Sequence, residues 1–171
     1  MNTNSFRVSD LNFKFSIDQV DKNSIKEILY SSGYFYDYEV EVALEIADDY
    51  LNNEDHNAYH FIAAMLQNQM IGFSCYGHIP CTKDSYDLYW IAIHNKLRGK
   101  GIGIKLLQET EKQVQIMGGK NIYIETSSTE KYALTQRFYL RQAYALEARL
   151  KDYYREGDDK LVFSKSIKLI K

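Results

Sequence analysis

The sequence predicts a mixed α/β (α+β) fold in a single domain of 171 residues. Three observations support this prediction. Two apolar runs, 59–66 and 70–76, flank a short polar turn in the manner of a hairpin. An amphipathic helical pattern over 102–117 lies between two strand-like runs, as in a β-α-β unit. The chain then closes with two strand-like runs around the polar turn 155–159, and no break in composition divides it.

The N-terminal part of the chain predicts a strand followed by a helix. Apolar and polar residues alternate over 13–17, which indicates a short strand. The segment 20–32 has helical periodicity, with Asp21 or Asn23 near its start as an N-terminal cap and Gly33 just beyond its end. The glycine is expected to end this helix, because it adopts a left-handed conformation easily.

An acidic and aromatic segment comes next. Its first part, 34–38, is aromatic, and its second part, 39–51, has an apolar helical stripe. Acidic residues surround the stripe: Glu39, Glu41, Glu45, Asp48 and Asp49. Two interpretations stay open. The segment either forms the wall of a pocket for a cationic amine, through charge and cation–π attraction, or is a solvated helix face beside a loop.

Further strand-like runs and one helix complete the order. The run 86–93 is almost continuously apolar, which favours a central strand covered on both faces. In the run 121–126, Ile122 and Ile124 face one side of a strand and Glu125 faces the other. The last predicted elements are a helix and two strands: 129–142, 145–153 and 160–168. Counted together, the patterns give about seven strands and about four helices.

Composition and charge exclude several classes of function. The net charge is -2 and the pI is about 6.1, so the chain lacks the basic surface that nucleic-acid binding requires. No apolar run is long enough to cross a bilayer, and residues 1–11 are polar, lack a signal-peptide pattern and are expected to be flexible. Cys75 and Cys81 have no metal-ligand spacing, so we expect reduced thiols and no metal. We therefore predict a cytoplasmic protein with neither a membrane nor a nucleic acid as its partner.

A glycine-rich segment follows the run 86–93 and opens the helix predicted over 102–117. It consists of Arg98, Gly99, Lys100, Gly101, Ile102 and Gly103. Glycine permits positive φ and a close approach to backbone N–H groups, which point outwards at the positive end of a helix dipole. The segment does not match the dinucleotide fingerprint G-x-G-x-x-G, because Ile104 stands where its last glycine is needed. It does not match the P-loop either, because Ile104-Lys105 follows Gly103 where that motif needs Lys-Ser/Thr. The segment is therefore predicted to bind phosphate as a loop of another type than these two motifs.

The spacing Arg/Gln-x-x-Gly-x-Gly, present as Arg98, Gly101 and Gly103, resembles the pyrophosphate loop of the GCN5-related N-acetyltransferases, the GNAT family, which bind acetyl-coenzyme A. The order of predicted elements is also that of the GNAT fold. The resemblance covers about residues 60–165 and implies a mixed, mostly antiparallel central sheet flanked by helices. It implies acetyl-CoA as the acetyl donor, bound by the six loop residues. It also implies a backbone clamp for the thioester oxygen, at Ile91, Ala92 and Ile93.

The resemblance assigns a role to Tyr139. In many family members, the tyrosine of a Phe/Leu-Tyr pair on the helix after the fifth strand faces the coenzyme sulfur, and Phe138-Tyr139 matches this pair. Tyr139 is therefore expected to be the general acid that protonates the departing thiolate. The family often has glycine before the next aromatic residue, whereas Ala143 precedes Tyr144 here. Alanine tolerates a left-handed cap poorly, so the end of this helix departs from the family pattern.

Acetyl transfer also needs a base, because a primary amine with a pKa of about 10 is protonated at neutral pH. Glu125 lies near the carboxyl end of its strand, in a context similar to that of the glutamate base of ribosomal-protein N-terminal acetyltransferases. Their following asparagine is missing here. Asp87, on the preceding strand, is the alternative base and could act through water. A covalent route through Cys75 or Cys81 has no base placed beside either thiol.

The sequence thus predicts an N-acetyltransferase that moves acetyl from acetyl-CoA directly to a primary amine. The expected acceptor is a small molecule or an amino-acid derivative, because the acidic and aromatic segment favours a small cation. A protein N-terminus or a lysine is the alternative acceptor. A non-catalytic module that binds or senses acyl-CoA is the alternative from another class. If the protein is a homodimer, the last two strands are the expected interface.

Overall fold

The computed structural model describes residues 10–53 and 58–167. Most of the predicted flexible segment 1–11 and the predicted strand end at 168 lie outside the described residues. The strands are β1 (Asn12–Lys14), β2 (His60–Leu66), β3 (Gln69–His78), β4 (Ser85–Ile93), β5 (Asn121–Ser127), β6 (Ala145–Arg155) and β7 (Asp158–Ser166). The helices are α1 (Gln19–Ser32), α2 (Asp37–Asn52), α3 (Ile102–Ile116) and α4 (Ala133–Arg141). The predicted order of elements is confirmed.

The seven strands form one sheet in the order β1-β2-β3-β4-β5-β7-β6. Antiparallel pairs join β1 to β2, β5 to β7, and β6 to β7. Strands β4 and β5 run parallel, with α3 as the crossover between them. The mixed α/β fold and its β-α-β unit are therefore confirmed. In the part of the chain that the structure describes, no helix combines the length and the apolar composition of a membrane span.

The described residues group into two compact units. The first unit contains the described residues up to Cys75 together with Trp90–Thr110, and the second contains Tyr76–Tyr89 and the described residues from Glu111 onwards. Each unit has buried apolar residues of its own. The single-domain organisation stays a prediction.

The core of the first unit contains apolar side chains of α1, α2, the strands and the loop between β1 and α1. Its residues are Ile17, Ile25, Ile28, Leu29, Val40, Ala43, Ala47, Tyr50, Phe61, Phe73, Cys75 and Ala92. On each helix these residues recur at a spacing of three or four, so one face of the helix is buried and the other is exposed to solvent. The apolar stripe predicted for the second helix is thus the face that builds this core.

Helix α1 begins with a different cap from the predicted one. The Asp18 carboxylate accepts hydrogen bonds from the backbone N–H groups of Val20 and Asp21, at 2.9 and 3.0 Å. In return, the Asp21 carboxylate accepts a hydrogen bond from the Asp18 N–H at 3.0 Å, which completes a capping box. The predicted caps Asp21 and Asn23 are therefore wrong, because Asp21 is the third helical residue. The predicted end at Gly33 is confirmed, since its φ is 67°.

Burial along β4 and β5 tests the predicted faces of these strands. On β5, Ile122 and Ile124 are buried while Glu125 is exposed, which confirms the predicted alternation. Coverage of β4 on both faces was predicted, and this is wrong. Tyr89 is 38% exposed, and buried and less buried residues alternate along the N-terminal half of the strand. Tyrosine combines an apolar ring with a polar hydroxyl group, so an apolar run rich in tyrosine suits a strand with one solvent-exposed face.

Helix α4 begins later than predicted. A 3-10 turn at Glu130–Tyr132 precedes it, and the predicted start at 129 lies in a polar network. The Ser127 hydroxyl accepts from the Thr129 N–H at 3.1 Å and contacts the Thr129 hydroxyl at 2.8 Å. Hydroxyl groups that bond to nearby backbone offer an alternative to helical bonding. This network therefore delays the helix.

The end of α4 has a left-handed residue although alanine stands where the family often has glycine. Ala143 has φ of 64°, and its N–H donates to the Leu140 carbonyl at 3.1 Å. The Tyr144 N–H then donates to the Tyr139 carbonyl at 3.1 Å. These two bonds satisfy carbonyls of the last helical turn. The helix ends as the fold requires, but an alanine occupies a conformation in which its Cβ is crowded.

Replacing this alanine should therefore stabilise the protein. We expect Ala143→Gly to raise the free energy of unfolding by about 1 kcal/mol, because glycine relieves the left-handed strain. Urea unfolding measures the difference. Ala145→Gly is the matched control, since Ala145 is also exposed but lies in β6 without positive φ. It should lower stability by about 0.5–1 kcal/mol. Equal losses in both variants would contradict the strain at Ala143.

Candidate functional site

The glycine loop, residues 98–103, lies in the first unit between β4 and α3. A single 3-10 turn, Asn95–Leu97, leads into it. Gly99 and Gly101 have φ of 75° and 81°, in the left-handed region that favours glycine. Gly103 lies in the first turn of α3 without positive φ, so two of the three glycines behave as predicted. The loop thus turns sharply into the start of a helix.

Buried residues anchor both ends of the glycine loop. Leu97 is 4% exposed and Ile102 is 1% exposed, whereas Arg98 is exposed. The first bond of the helix runs from the Lys105 N–H to the Gly101 carbonyl, at 3.2 Å. The N–H groups of the preceding helical residues have no partner within the helix, and the helix dipole makes this end positive. The loop is therefore suited to hold an anion such as a phosphate group.

The end of β4 carries the predicted thioester clamp, residues 91–93. A Cβ atom on Gly72 of β3 would lie 2.9 Å from the Ala92 carbonyl oxygen, so the two backbones approach very closely. The His94 N–H donates to the Ile71 carbonyl at 2.8 Å. The end of β4 is thus held by direct backbone contact. A fixed backbone is what a preorganised hydrogen-bond donor requires, and the clamp itself stays a prediction.

In the second unit, the structure brings together the two candidate bases. Pairing of β4 with β5 ends with Asp87 opposite Tyr123, although β5 continues to Ser127. Glu125 lies two residues beyond Tyr123, on the same face of the sheet. The negative charge of Glu125 therefore acts on the half-buried carboxyl group of Asp87. Burial, and next the negative charge of Glu125, raise the pKa of Asp87 to about 6.

A lysine that the sequence analysis missed completes this group. Lys160 of β7 lies opposite Ser127, which makes it a diagonal neighbour of Glu125. Its Nζ atom is 2.5 Å from Glu125 Oε1, and its side chain is 12% exposed. Lys160 opposes the upward shift in the pKa of Asp87. We call Asp87, Glu125 and Lys160 the carboxylate cluster. Only the register of β5 with β7 could have identified the lysine.

Lys160 stays charged in this setting. Burial lowers its pKa, but the hydrogen bond and charge of Glu125, together with Tyr153, outweigh that effect and leave the pKa raised. The Nζ atom lies 4.4 Å from the centroid of the Tyr153 ring, which is a cation–π distance. The carboxylate cluster thus contains one fixed positive charge and two carboxylates.

Tyr139, the predicted acid, lies on α4 among aromatic rings. It is 4% exposed, and its ring centroid lies 5.9 Å from that of Tyr144 and 5.9 Å from that of Phe163. Burial raises the pKa of the Tyr139 hydroxyl above its usual value. The phenol therefore holds its proton at neutral pH. It is also a weaker acid than an exposed tyrosine.

The other candidates receive less support from the structure. Burial raises the pKa of the Cys75 thiol well above its usual value, which disfavours the thiolate that covalent catalysis needs. Cys81 is a free, exposed thiol. The acidic residues of α2 include several with local partners. Glu39 accepts from the Tyr36 N–H at 2.7 Å, and Asp48 pairs with Lys22 at 2.5 Å. These contacts favour a solvated helix face over a pocket wall at those positions.

Comparison with known proteins agrees with the fold. The model of the acetyltransferase (GNAT) family matches residues 23–144. A candidate GNAT-family acetyltransferase from Desulfovibrio desulfuricans is 37% identical, with a TM-score of 0.90 over 92% of this chain and 99% of that one. No curated protein matches the chain.

More distant solved structures share the fold. The ribosomal-protein-S18-alanine N-acetyltransferase of Escherichia coli is 14% identical, with a TM-score of 0.73 over 94% of this chain and 96% of that one. An aminoglycoside 6'-N-acetyltransferase, solved with coenzyme A, is 19% identical, with a TM-score of 0.73 over 94% of this chain and 99% of that one. The family model and the 37% identical structure together show that the chain belongs to the GNAT family of acetyltransferases.

Proposed function

We propose that this protein transfers the acetyl group of acetyl-CoA directly to the primary amine of a small molecule or an amino-acid derivative. The observation that carries the proposal is the glycine loop, with two left-handed glycines at the start of α3, in a chain of the GNAT family. A protein of the same fold, the aminoglycoside 6'-N-acetyltransferase, was solved with coenzyme A. The loop amides and the Arg98 guanidinium would hold the pyrophosphate of the donor.

Asp87 is the better placed of the two bases for deprotonating the acceptor. Its pKa of about 6 lies nearer to neutrality than that of an ordinary aspartate, and general bases work best when their pKa is near the operating pH. Glu125 is half exposed and is already paired with Lys160. We therefore propose Asp87 as the base, directly or through water, and Glu125 as the group that tunes it. Glu125 acting as the base is the alternative.

Tyr139 would act on the sulfur of the donor. An alkyl thiol has a pKa of about 8.5, below that of a buried phenol, so complete proton transfer from Tyr139 is uphill. A hydrogen bond from the phenol to the developing thiolate stabilises the leaving group without that cost. The attacking amine loses a proton as the amide forms, and this proton balances the one that the phenol gives to the thiolate. Tyr139 is thus proposed as a hydrogen-bond donor to the sulfur and as its acid.

Charge supports an amine acceptor. With both carboxylates ionised, the carboxylate cluster carries one more negative charge than positive, which attracts an ammonium group. A protein N-terminus is the alternative acceptor, and the related Escherichia coli enzyme is named for a ribosomal-protein alanine. A non-catalytic module that binds acyl-CoA is the alternative of another class. Release of free thiol from acetyl-CoA in the presence of an amine panel tests catalysis, and binding without release would favour the module.

Binding of the donor should depend on the left-handed conformation of Gly101. We expect Gly101→Val to abolish acetyl-CoA binding in calorimetry, because a β-branched residue resists positive φ and fills the phosphate turn. Gly157→Val is the matched control. Gly157 has φ of 77° and lies between β6 and β7, so the control has similar strain. Equal binding by both variants would show that the loop is only a turn.

Loss of the Tyr139 hydroxyl should affect chemistry rather than binding. We expect Tyr139→Phe to lower the single-turnover rate by about 100-fold or more, with little change in the Kd of acetyl-CoA. Tyr30→Phe, at a tyrosine of α1 that is 49% exposed, is the control and should keep full activity. Full turnover by Tyr139→Phe under these conditions would remove the acid role.

The pH dependence of kcat/KM should identify the base. An aspartate base is active when deprotonated, so the rate should rise with pH through an inflection near pH 6. Asp87→Asn should remove this inflection. Lys160→Met should move it to higher pH, because the lysine lowers the pKa of Asp87, and Glu125→Gln should move it to lower pH. If Glu125→Gln removed the inflection and Asp87→Asn kept it, Glu125 would be the base.

A further inference from the structure

Arg98, the first residue of the glycine loop, lies against an aromatic ring of the same unit. Its Cζ atom is 4.4 Å from the centroid of the Tyr34 ring. We infer that Tyr34 is a positioning residue that orients the Arg98 guanidinium for the pyrophosphate of the donor. The inference rests on the proposed function and adds a residue to it.

The backbone on the Arg98 side of this contact is fixed. The Asn95 N–H donates to the Ser31 hydroxyl at the end of α1, at 3.1 Å. His94 Nε2 lies 3.7 Å from the Glu27 carboxylate of the same helix. The Arg98 N–H donates to the Asn95 carbonyl at 3.2 Å. These contacts tie the 3-10 turn and the Arg98 backbone to α1, so the direction of the guanidinium depends on the conformation of the Arg98 side chain alone.

The backbone on the Tyr34 side is fixed as well. Gly33 ends α1 in a left-handed conformation, and its N–H donates to the Tyr30 carbonyl at 3.2 Å. The Tyr34 N–H donates to the Ser32 hydroxyl at 3.2 Å. The ring therefore projects from a defined turn directly after the helix. Two fixed backbones thus bring the ring and the guanidinium together.

A neutral ring is a suitable partner for an arginine that must bind phosphate. A carboxylate in the same place would neutralise the guanidinium and compete with the ligand, whereas the ring leaves its positive charge intact. The guanidinium carries five N–H donors, so contact with one ring face leaves several donors for phosphate oxygens. An exposed arginine loses side-chain freedom when it binds a ligand, and orientation in advance reduces that loss.

Calorimetric binding of coenzyme A provides the test. We expect Tyr34→Leu to raise the Kd about two- to fivefold, which corresponds to a cation–π contact at an exposed site. Tyr34→Phe keeps the ring face and should bind nearly as tightly as the unmodified protein. Arg98→Ala should raise the Kd about tenfold or more. Because Tyr34 acts through Arg98, adding Tyr34→Leu to Arg98→Ala should cause no further loss.

The double-variant cycle separates positioning from a structural role. If Tyr34→Leu weakened binding equally with and without Arg98, the effect would not pass through the guanidinium and the inference would be wrong. The same conclusion follows if Tyr34→Phe lost as much affinity as Tyr34→Leu, or if Tyr34→Leu had no effect. If the unmodified protein did not bind coenzyme A, the proposed function would fail and this inference with it.

Discussion

The pairing of β4 with β5 ends at Asp87, and the charge arrangement of the second unit depends on that register. The ladder joins Ser85 to Asn121 and ends with Asp87 opposite Tyr123. Because side chains alternate along a strand, this register places Asp87 and Glu125 on one face. A slip of either strand by one residue would turn one carboxylate to the other face. The pairing of Ser127 with Lys160 then brings the lysine to the same face.

The register creates an unequal pair of carboxylates. Glu125 is half exposed and has the ammonium group of Lys160 at 2.5 Å, whereas Asp87 is more buried and faces the charge of Glu125. Their environments therefore differ although their chemistry is the same, which is how proteins assign separate roles to two acids. An incoming ammonium group would supply the missing positive charge. In the proposed function, transfer of its proton to Asp87 leaves the neutral amine that acetyl transfer requires.

Local signals in the sequence predicted the order of elements and the glycine loop. Periodicity depends on neighbouring residues, and the positive φ of Gly101 follows from what glycine permits. The N-terminal cap of α1 was harder to predict, because Asp18 and Asp21 both suit a cap position and only the backbone conformation shows which one precedes the helix. Lys160 was missed because its role depends on strand pairing with Ser127, far away in sequence. Pairing of this kind leaves no mark on local periodicity.

The same contrast explains why the donor is easier to recognise than the acceptor. A pyrophosphate is bound largely by backbone N–H groups, so the chain must supply glycines at fixed spacing next to a helix start, and these are visible in any sequence. An amine is bound by side chains from separate elements, and acidic side chains in a sequence can have structural uses instead. Glu39 of the acidic segment caps its own helix, and Asp48 pairs with Lys22. Two solved structures that share the fold at 14% and 19% identity have names that give different acceptors, a ribosomal-protein alanine and an aminoglycoside. Phosphate binding by a loop therefore constrains the backbone, whereas binding of an acceptor depends on side chains that the fold leaves free to vary.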